Sequence, residues 1–309
     1  MRILVTGGAG YVGSVLVEVL LDAGHRVDVL DTLAFGQSSL VGQAHRDGLE
    51  FVRGDARERA TLRPLIARAD ALIPLAAVVG APACDREPRR AHELNVEAVE
   101  TLLSLRSPSQ AVLFPNTNSG YGARPDAECT EDTPFAPVSH YGRTKVEAEE
   151  RLLDAGGAIS FRLATAFGAS PRMRFDLLVN DFVRRAATDG VLVLFESGFR
   201  RNFIHVRDIA ETFLFALDAF DRMRDRIYNV GLSDANLTKR QLAEQIQRHV
   251  PDLTILESAI GRDPDRRDYI VSNERLEALG WRPERSLDDG IRELLRVCRM
   301  LPTSSSRNA

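Results

Sequence analysis

The chain has 309 residues, 44% hydrophobic and 27% charged, which is enough to bury a large core in one or two domains. A formal net charge of −4 speaks against a nucleic-acid-binding surface. No run approaches the roughly 18 apolar residues of a membrane span and no signal-peptide pattern precedes the first apolar run, so a cytoplasmic protein without membrane contact is expected.

The apolar run Arg2-Ile3-Leu4-Val5-Thr6 predicts a first strand. Thr6-Gly7-Gly8-Ala9-Gly10-Tyr11-Val12-Gly13 follows, and an apolar period predicts a helix over 11–23. Strand, glycine turn and helix in that order make a dinucleotide-binding unit. Gly7 permits the tight turn, Gly10 lets a pyrophosphate approach the backbone, and Gly13 lets the helix pack closely. The helix start at Tyr11 and Val12 offers N–H groups and a partial positive charge to phosphate. The spacing is G-x-x-G-x-x-G.

A second strand, 26–31, ends at Asp31. A carboxylate there accepts ribose hydroxyls and repels a 2′-phosphate, which predicts NAD rather than NADP. Further strands are predicted over 49–53, 70–75, 110–115 and 158–163, with helical patterns near 61–68, 89–106 and 139–154. This alternation predicts an α/β fold, a doubly wound parallel sheet of the Rossmann type. After Gly168 the alternation loosens, 170–174 reads as a loop and 176–188 as a helix. The residues 301–309 show no period and read as a flexible tail. Cys84, Cys129 and Cys298 have no metal-ligand spacing, which fits a reducing compartment and predicts no metal.

The helical pattern 139–154 opens with Tyr141-Gly142-Arg143-Thr144-Lys145. Of 40 basic residues in the chain, only Lys145 and Lys239 are lysines. Tyr141 and Lys145 are one turn apart and share a helix face. An ammonium near a phenol favours the phenolate, so Tyr141 is expected to titrate below the ordinary value of about 10 and to serve as a general base. The strand before it ends in Asn116-Thr117-Asn118-Ser119-Gly120-Tyr121-Gly122, where Thr117 is a candidate hydroxyl partner and Ser119 its rival.

Gly7-x-x-Gly10-x-x-Gly13 together with Tyr141-x-x-x-Lys145 resembles the extended short-chain dehydrogenase/reductase family, the nucleotide-sugar epimerases and dehydratases. The resemblance continues in Gly54-Asp55-Ala56, Leu75-Ala76-Ala77, Phe203-Ile204-His205-Val206-Arg207-Asp208 and Leu279-Gly280-Trp281-Arg282-Pro283. It implies NAD as cofactor, with Asp55 and Ala56 at the adenine and Leu75, Ala76 and Ala77 beside the nicotinamide ribose. Pro74 stands where the family's usual His would be. The resemblance also puts Asn95, Ala164, Tyr141 and Lys145 in the cofactor set. It implies a catalytic Thr117–Tyr141–Lys145 group and a nucleotide-diphosphate sugar substrate. Arg201, Arg267 and Asn180 become substrate-binding candidates, with Arg172 and Arg174 behind them. By the same pattern 1–168 with about 201–232 forms the NAD-binding domain. The segments 169–200 and 233–300 form a smaller substrate-binding domain. Helices 89–106 and 139–154, which carry apolar stripes, would make a homodimer contact.

Two departures narrow the chemistry. Dehydratases of the family carry Thr-Asp-Glu where Thr117-Asn118-Ser119 stands here, and neither Asn nor Ser titrates usefully, so elimination of water lacks its acid/base pair. The C4-epimerases carry Asn-Pro where Thr165-Ala166 stands. The segments Pro115–Gly122 and Ser170–Arg174 are similar to bacterial GDP-heptose 4-dehydrogenases of capsule biosynthesis. A 4-dehydrogenase acting by hydride transfer at C4 is therefore expected, with a C4-epimerase as the alternative. A non-catalytic NAD-binding regulator on this fold would typically have lost the tyrosine and lysine, and both are present.

Overall fold

The computed structural model describes residues 1–259 and 267–301. The predicted tail beyond Leu301 lies outside the described residues. Seven parallel strands form the central sheet: β1 Arg2–Thr6, β2 Arg26–Asp31, β3 Leu49–Arg53, β4 Ala71–Pro74, β5 Ala111–Thr117, β6 Ala158–Leu163 and β7 Arg226–Val230. Their order is β7-β6-β5-β4-β1-β2-β3. The chain therefore winds outward in both directions from β1. The crevice at the carboxyl ends of β1 and β4 is the switch point where such sheets bind ligands.

The central strands are apolar on both sides because both faces are covered. One face buries Ile3, Val5, Val27, Val29 and Ile73 under helix α1 (Tyr11–Asp22) and a later helix, Val206–Asp218. The other buries Leu4, Leu72, Val112 and Phe114 under Leu62, Leu65, Val99, Leu102, Ala148 and Leu152. A second core gathers Phe167, Met173, Val179, Val183, Leu242, Ile246, Ile291 and Leu294. The strand Arg200–His205 joins the two by simple alternation: Phe203 enters the second core and Ile204 the first.

The sequence-predicted helix over 89–106 is broken into pieces. Helix α2 (Ala81–Arg86) precedes a short helix Pro88–His92, a π-turn Glu93–Glu97 and helix α3 (Ala98–Leu105). The π-turn aims Asn95 inward, where its Oδ1 accepts from the Val78 N–H at 2.8 Å and its Nδ2 donates to the Val78 carbonyl at 3.0 Å and to Thr144 Oγ1 at 3.1 Å. Single π-turns inside helices often mark functional positions for this reason.

The apolar stripes on α3 and on α4 (His140–Ala155) face the chain's own core through Val99, Leu102, Ala148 and Leu152. Their outward residues are charged, with Arg151 paired to Glu147 at 2.7 Å and to Glu100. The homodimer expectation thus rests on family resemblance and no longer on an exposed apolar stripe. Among the described residues no helix is long and apolar enough to cross a membrane, and no group of three His, Cys, Asp or Glu side chains could hold a metal ion.

Candidate active site

The glycine turn after β1 leaves no room for side chains. Gly7 has φ +72°, and a Cβ there would lie 2.7 Å from the Ala76 backbone nitrogen. A Cβ on Gly13 would strike the Gly7 carbonyl and the Gly8 backbone, so α1 sits against the turn as closely as backbone permits. Gly10 caps α1, whose first turn, opened by Tyr11 and Val12, carries no acidic residue. These N–H groups and the bare backbone fit the diphosphate of a dinucleotide.

Asp31 ends β2 with its carboxylate accepting from the Ala9 N–H at 3.0 Å and the Leu33 N–H at 2.8 Å. It borders the same turn, as ribose recognition requires. Asp55 is gripped by the Arg57 fork, at 2.7 Å to Nη2, and Arg57 is pinned from the other side by Glu93 at 2.7 Å. The Asp55 carboxyl is held below the ordinary range chiefly by that side-chain bond to Arg57. Ala56 is buried beside it. Leu75 N–H donates to the Thr6 carbonyl at 3.0 Å and Ala76 N–H reaches Thr6 Oγ1 at 3.4 Å, which carries the Leu75-Ala76-Ala77 segment across the switch point. Ala164, just past β6, donates its N–H to the Val230 carbonyl at 2.9 Å.

Thr117 is the last residue of β5, two residues beyond the predicted strand end. Ser139 caps α4 by accepting from the Gly142 N–H at 3.1 Å, which puts Tyr141 in the first turn and Lys145 one turn on. The Thr117 hydroxyl is among the groups that work to lower the pKa of the Tyr141 phenol. Thr117 Oγ1 lies 2.9 Å from Ser119 Oγ and accepts from the Ser119 N–H at 3.1 Å. Arg267 Nη1 donates to Ser119 Oγ.

The electrostatics correct the expectation drawn from the Tyr141–Lys145 spacing. Burial pushes Tyr141 up to about 12, and the nearby Cys84 thiol works in the same direction. Arg267, Arg174 and the Thr117 hydroxyl oppose the rise. Lys145 is not the group that lowers the phenol. It is itself buried, with Nζ 3.9 Å above the Phe114 ring, and burial brings its pKa down from 10.5 to about 7 despite Glu149. Taking both groups out of water outweighs their mutual effect.

Glu149, one further turn along α4, is absent from the sequence-derived candidates, although its register with Lys145 could have found it. It is buried with Arg162, whose Nη2 donates to Oε1 at 2.8 Å, and its Oε2 accepts from Asn116 Nδ2 and Ser160 Oγ at 2.5 Å each. Asn116 Oδ1 in turn accepts from the Thr117 N–H at 2.8 Å. Cys84, on α2, donates to the Val78 carbonyl at 3.3 Å, and its thiol is raised to about 11 by burial. Asn118 is 1% exposed, and neither end of its amide has a partner among the described residues.

The substrate candidates do not all converge. Arg267 reaches the Thr117–Ser119 pair. Arg201 is buried on its strand, with Nη1 on the Arg200 carbonyl at 3.0 Å. Asn180 is fully buried and both ends of its amide are engaged inside the protein. It accepts from Gly168 N–H at 3.1 Å and donates to the Arg174 carbonyl at 2.8 Å and to Tyr11 Oη at 3.3 Å. Tyr11 Oη donates to the Gly168 carbonyl at 2.7 Å, so Tyr11 and Asn180 tie the first turn of α1 to the second core. Arg172 stacks on Phe35 at 4.6 Å, and Arg174 pairs with Asp176 at 2.6 Å.

Several known proteins are similar to this chain along most of its length. A low-salt glycan biosynthesis protein, Agl12 of Haloferax volcanii, is 32% identical over 94% of this chain and 96% of its own length. A UDP-glucose 4-epimerase of Corynebacterium glutamicum is 27% identical over 92% of this chain and 91% of its own. The UDP-glucose 4-epimerase of Thermus thermophilus, solved in complex with NAD, superimposes with a TM-score of 0.83 at 27% identity, covering 97% of this chain and 99% of that one. A Bacillus anthracis dTDP-glucose 4,6-dehydratase, also solved with NAD, gives 0.82 at 25% identity, covering 97% of each chain. Residues 3–231, three-quarters of the chain and all of the cofactor cradle, match one family description, and with it the chain belongs to the NAD dependent epimerase/dehydratase family.

Proposed function

We propose that the protein oxidises a nucleotide-diphosphate sugar at C4, using NAD, without eliminating water. The observation that carries this reading is the placement of Thr117 at the carboxyl end of β5 and of Tyr141 in the first turn of α4, with Asn118 and Ser119 in place of a titratable pair. Tyr141 takes the proton of the C4 hydroxyl. Thr117 donates a hydrogen bond to the same sugar oxygen and steadies its developing charge. Tyr141 is a neutral phenol in the ligand-free chain, and Arg267 and Arg174 are the cations that favour its ionisation. Lys145, when protonated, adds charge at the base of the pocket and can donate to a ribose hydroxyl. Bound NAD supplies the acceptor for the C4 hydride. Asn118 and Ser119 offer no proton acceptor for a carbon-bound proton and no acid for a leaving hydroxide, so the sequence of steps ends at the ketone.

The similarity of Pro115–Gly122 and Ser170–Arg174 to GDP-heptose 4-dehydrogenases supports a GDP-heptose as substrate and release of the 4-keto sugar. Epimerisation is the second reading, favoured by relatives such as the 4-epimerases of Corynebacterium glutamicum and Azospirillum brasilense. In that case the ketone turns over in the cleft and is reduced on its other face. Thr165-Ala166, where epimerases carry Asn-Pro, weighs against it.

GDP-heptose and UDP-glucose deuterated at C4 separate these outcomes. The expected result is transfer of the label to NADH with a 4-keto product, while an unlabelled cofactor pool and a C4 epimer would identify the second reading. A 6-deoxy-4-keto product in the NMR spectrum would overturn both, because it requires the elimination chemistry that Asn118 and Ser119 lack.

A further inference from the structure

We infer that the Phe114 ring is the seat of the Lys145 ammonium, which makes Phe114 a positioning residue for the cofactor site. This rests on the proposed role of Lys145 as a charged donor to a ribose hydroxyl. Phe114 lies on β5 ahead of Thr117 and is fully buried. Strand alternation puts Phe114 and Asn116 on one face of the sheet. Both meet α4 there. Asn116 holds Glu149, and Phe114 holds Lys145, whose Nζ lies over the ring at 3.9 Å from its centroid. Among the described residues the ammonium makes no hydrogen bond and no ion pair, so the ring is its direct partner in the ligand-free chain.

The acid nearest in register to Lys145 is committed elsewhere. Glu149 Oε1 takes the Arg162 fork, at 2.8 Å from Nη2 and 3.2 Å from Nε, and Oε2 takes Asn116 and Ser160. Glu149 still favours the ammonium through space, as does Cys84 from α2, while Tyr141 on α4 itself is a neutral phenol. An ammonium taken out of water with no carboxylate in contact depends on what remains beside it. An aromatic face carries the negative end of a quadrupole, and it attracts a desolvated cation most strongly. An aliphatic side chain at 114 would fill the same part of the core and offer no such face. Holding Nζ over the ring also fixes the long lysine stem in advance, so less rotamer freedom is lost when a ligand arrives.

The test is an NMR titration of the Lys145 side chain in ligand-free protein made with isotope-labelled lysine. Lys145 and Lys239 are the only lysines in the chain, so Lys145→Met assigns the signal. Phe114→Leu removes the aromatic face. Mono-, di- and trifluorinated phenylalanine, placed at 114 by stop-codon suppression, keep the shape of the ring and weaken its face in steps, so the titration does not depend on the leucine variant folding. The Lys145 midpoint is expected to fall step by step along the fluorinated series, and to lie about one pH unit below wild type in Phe114→Leu, a roughly tenfold change in the ratio of charged to neutral lysine. Calorimetric titration with NAD should show affinity up to about tenfold weaker than wild type above the wild-type midpoint, and equal affinity once pH falls below the variant's own. A midpoint that stays put across the fluorinated series would overturn the seat. A midpoint that moves while NAD affinity matches wild type at every pH would overturn the positioning role. Absence of turnover by the wild-type enzyme on every nucleotide sugar tried would instead count against the proposed reaction, and both titrations, which need no sugar, would still decide the role of Phe114.

Discussion

Tyr141→Phe should lower kcat by about a thousandfold, within the range that a positioned acid or base contributes. It should leave NAD affinity and thermal stability close to wild type. Tyr141 is half-buried and its phenol is neutral, with its pKa pushed up to about 12, so removing the oxygen takes away no charge. The ring stays in the first turn of α4, under the cap from Ser139. What is lost is the oxygen proposed to receive the sugar proton. Steady-state kinetics, calorimetric titration with NAD and a melting curve are the measurements. Retention of more than about a tenth of wild-type kcat would remove Tyr141 from the base role.

The largest effect on stability is expected at the buried Glu149–Arg162 pair. Both side chains are nearly inaccessible, and Arg162 also lies 3.8 Å over the Phe135 ring and donates to Tyr121 Oη at 3.0 Å. Removing one member of such a pair strands the other as an uncompensated charge, at a cost of about 3–5 kcal/mol. Arg162→Met and Glu149→Gln should each cost about that much in denaturant unfolding. The double variant should cost less than their sum, because it strands neither charge. Activity should fall as well, since Glu149 holds Asn116, and Asn116 holds the Thr117 backbone. A loss below about 1 kcal/mol in both single variants would show that the pair is solvated or replaceable.

The predicted strands 2–6, 26–31, 49–53 and 158–163 coincide with observed ones; 2–6, 26–31 and 158–163 are buried in the sheet and leave apolar runs in the sequence, whereas 49–53 lies largely exposed at the sheet edge. The glycine turn is equally legible, since its constraint is local and only glycine meets it. Other features depend on partners far along the chain. The π-turn at Asn95 is invisible in the apolar period and exists because Val78 offers both a donor and an acceptor there. β7 joins the sheet from 226–230 by pairing with β6, which no local pattern announces. Arg267 meets Ser119 across 148 residues, so a residue that reads as a diphosphate ligand turns up beside the Thr117 and Ser119 hydroxyls. The Tyr141–Lys145 spacing correctly indicates a shared helix face, but spacing carries no information about depth. Depth is what sets both pKa values here.

The depth of Lys145 makes the fold a proton-linked equilibrium. Its ammonium titrates near 7 in the folded chain and at its ordinary 10.5 once unfolded, so between those values the unfolded state binds more protons. Protonation penalises the ligand-free fold fully below pH 7, and the penalty is relieved as pH rises. Cys84 offsets the trend above its ordinary 9.0, because its thiol is held protonated in the folded state, and Tyr141 adds to that opposition above 10. The window left to Lys145 is therefore pH 7 to 9, where stability should climb by up to about 1.4 kcal/mol per pH unit. In Lys145→Met that slope should vanish, and the ligand-free variant should unfold at higher denaturant than wild type at pH 7. Equal slopes in the two proteins would mean that the ammonium reaches water. Lys145, in a chain that otherwise prefers arginine, thus acts, without ligand, as a titratable fault in the core.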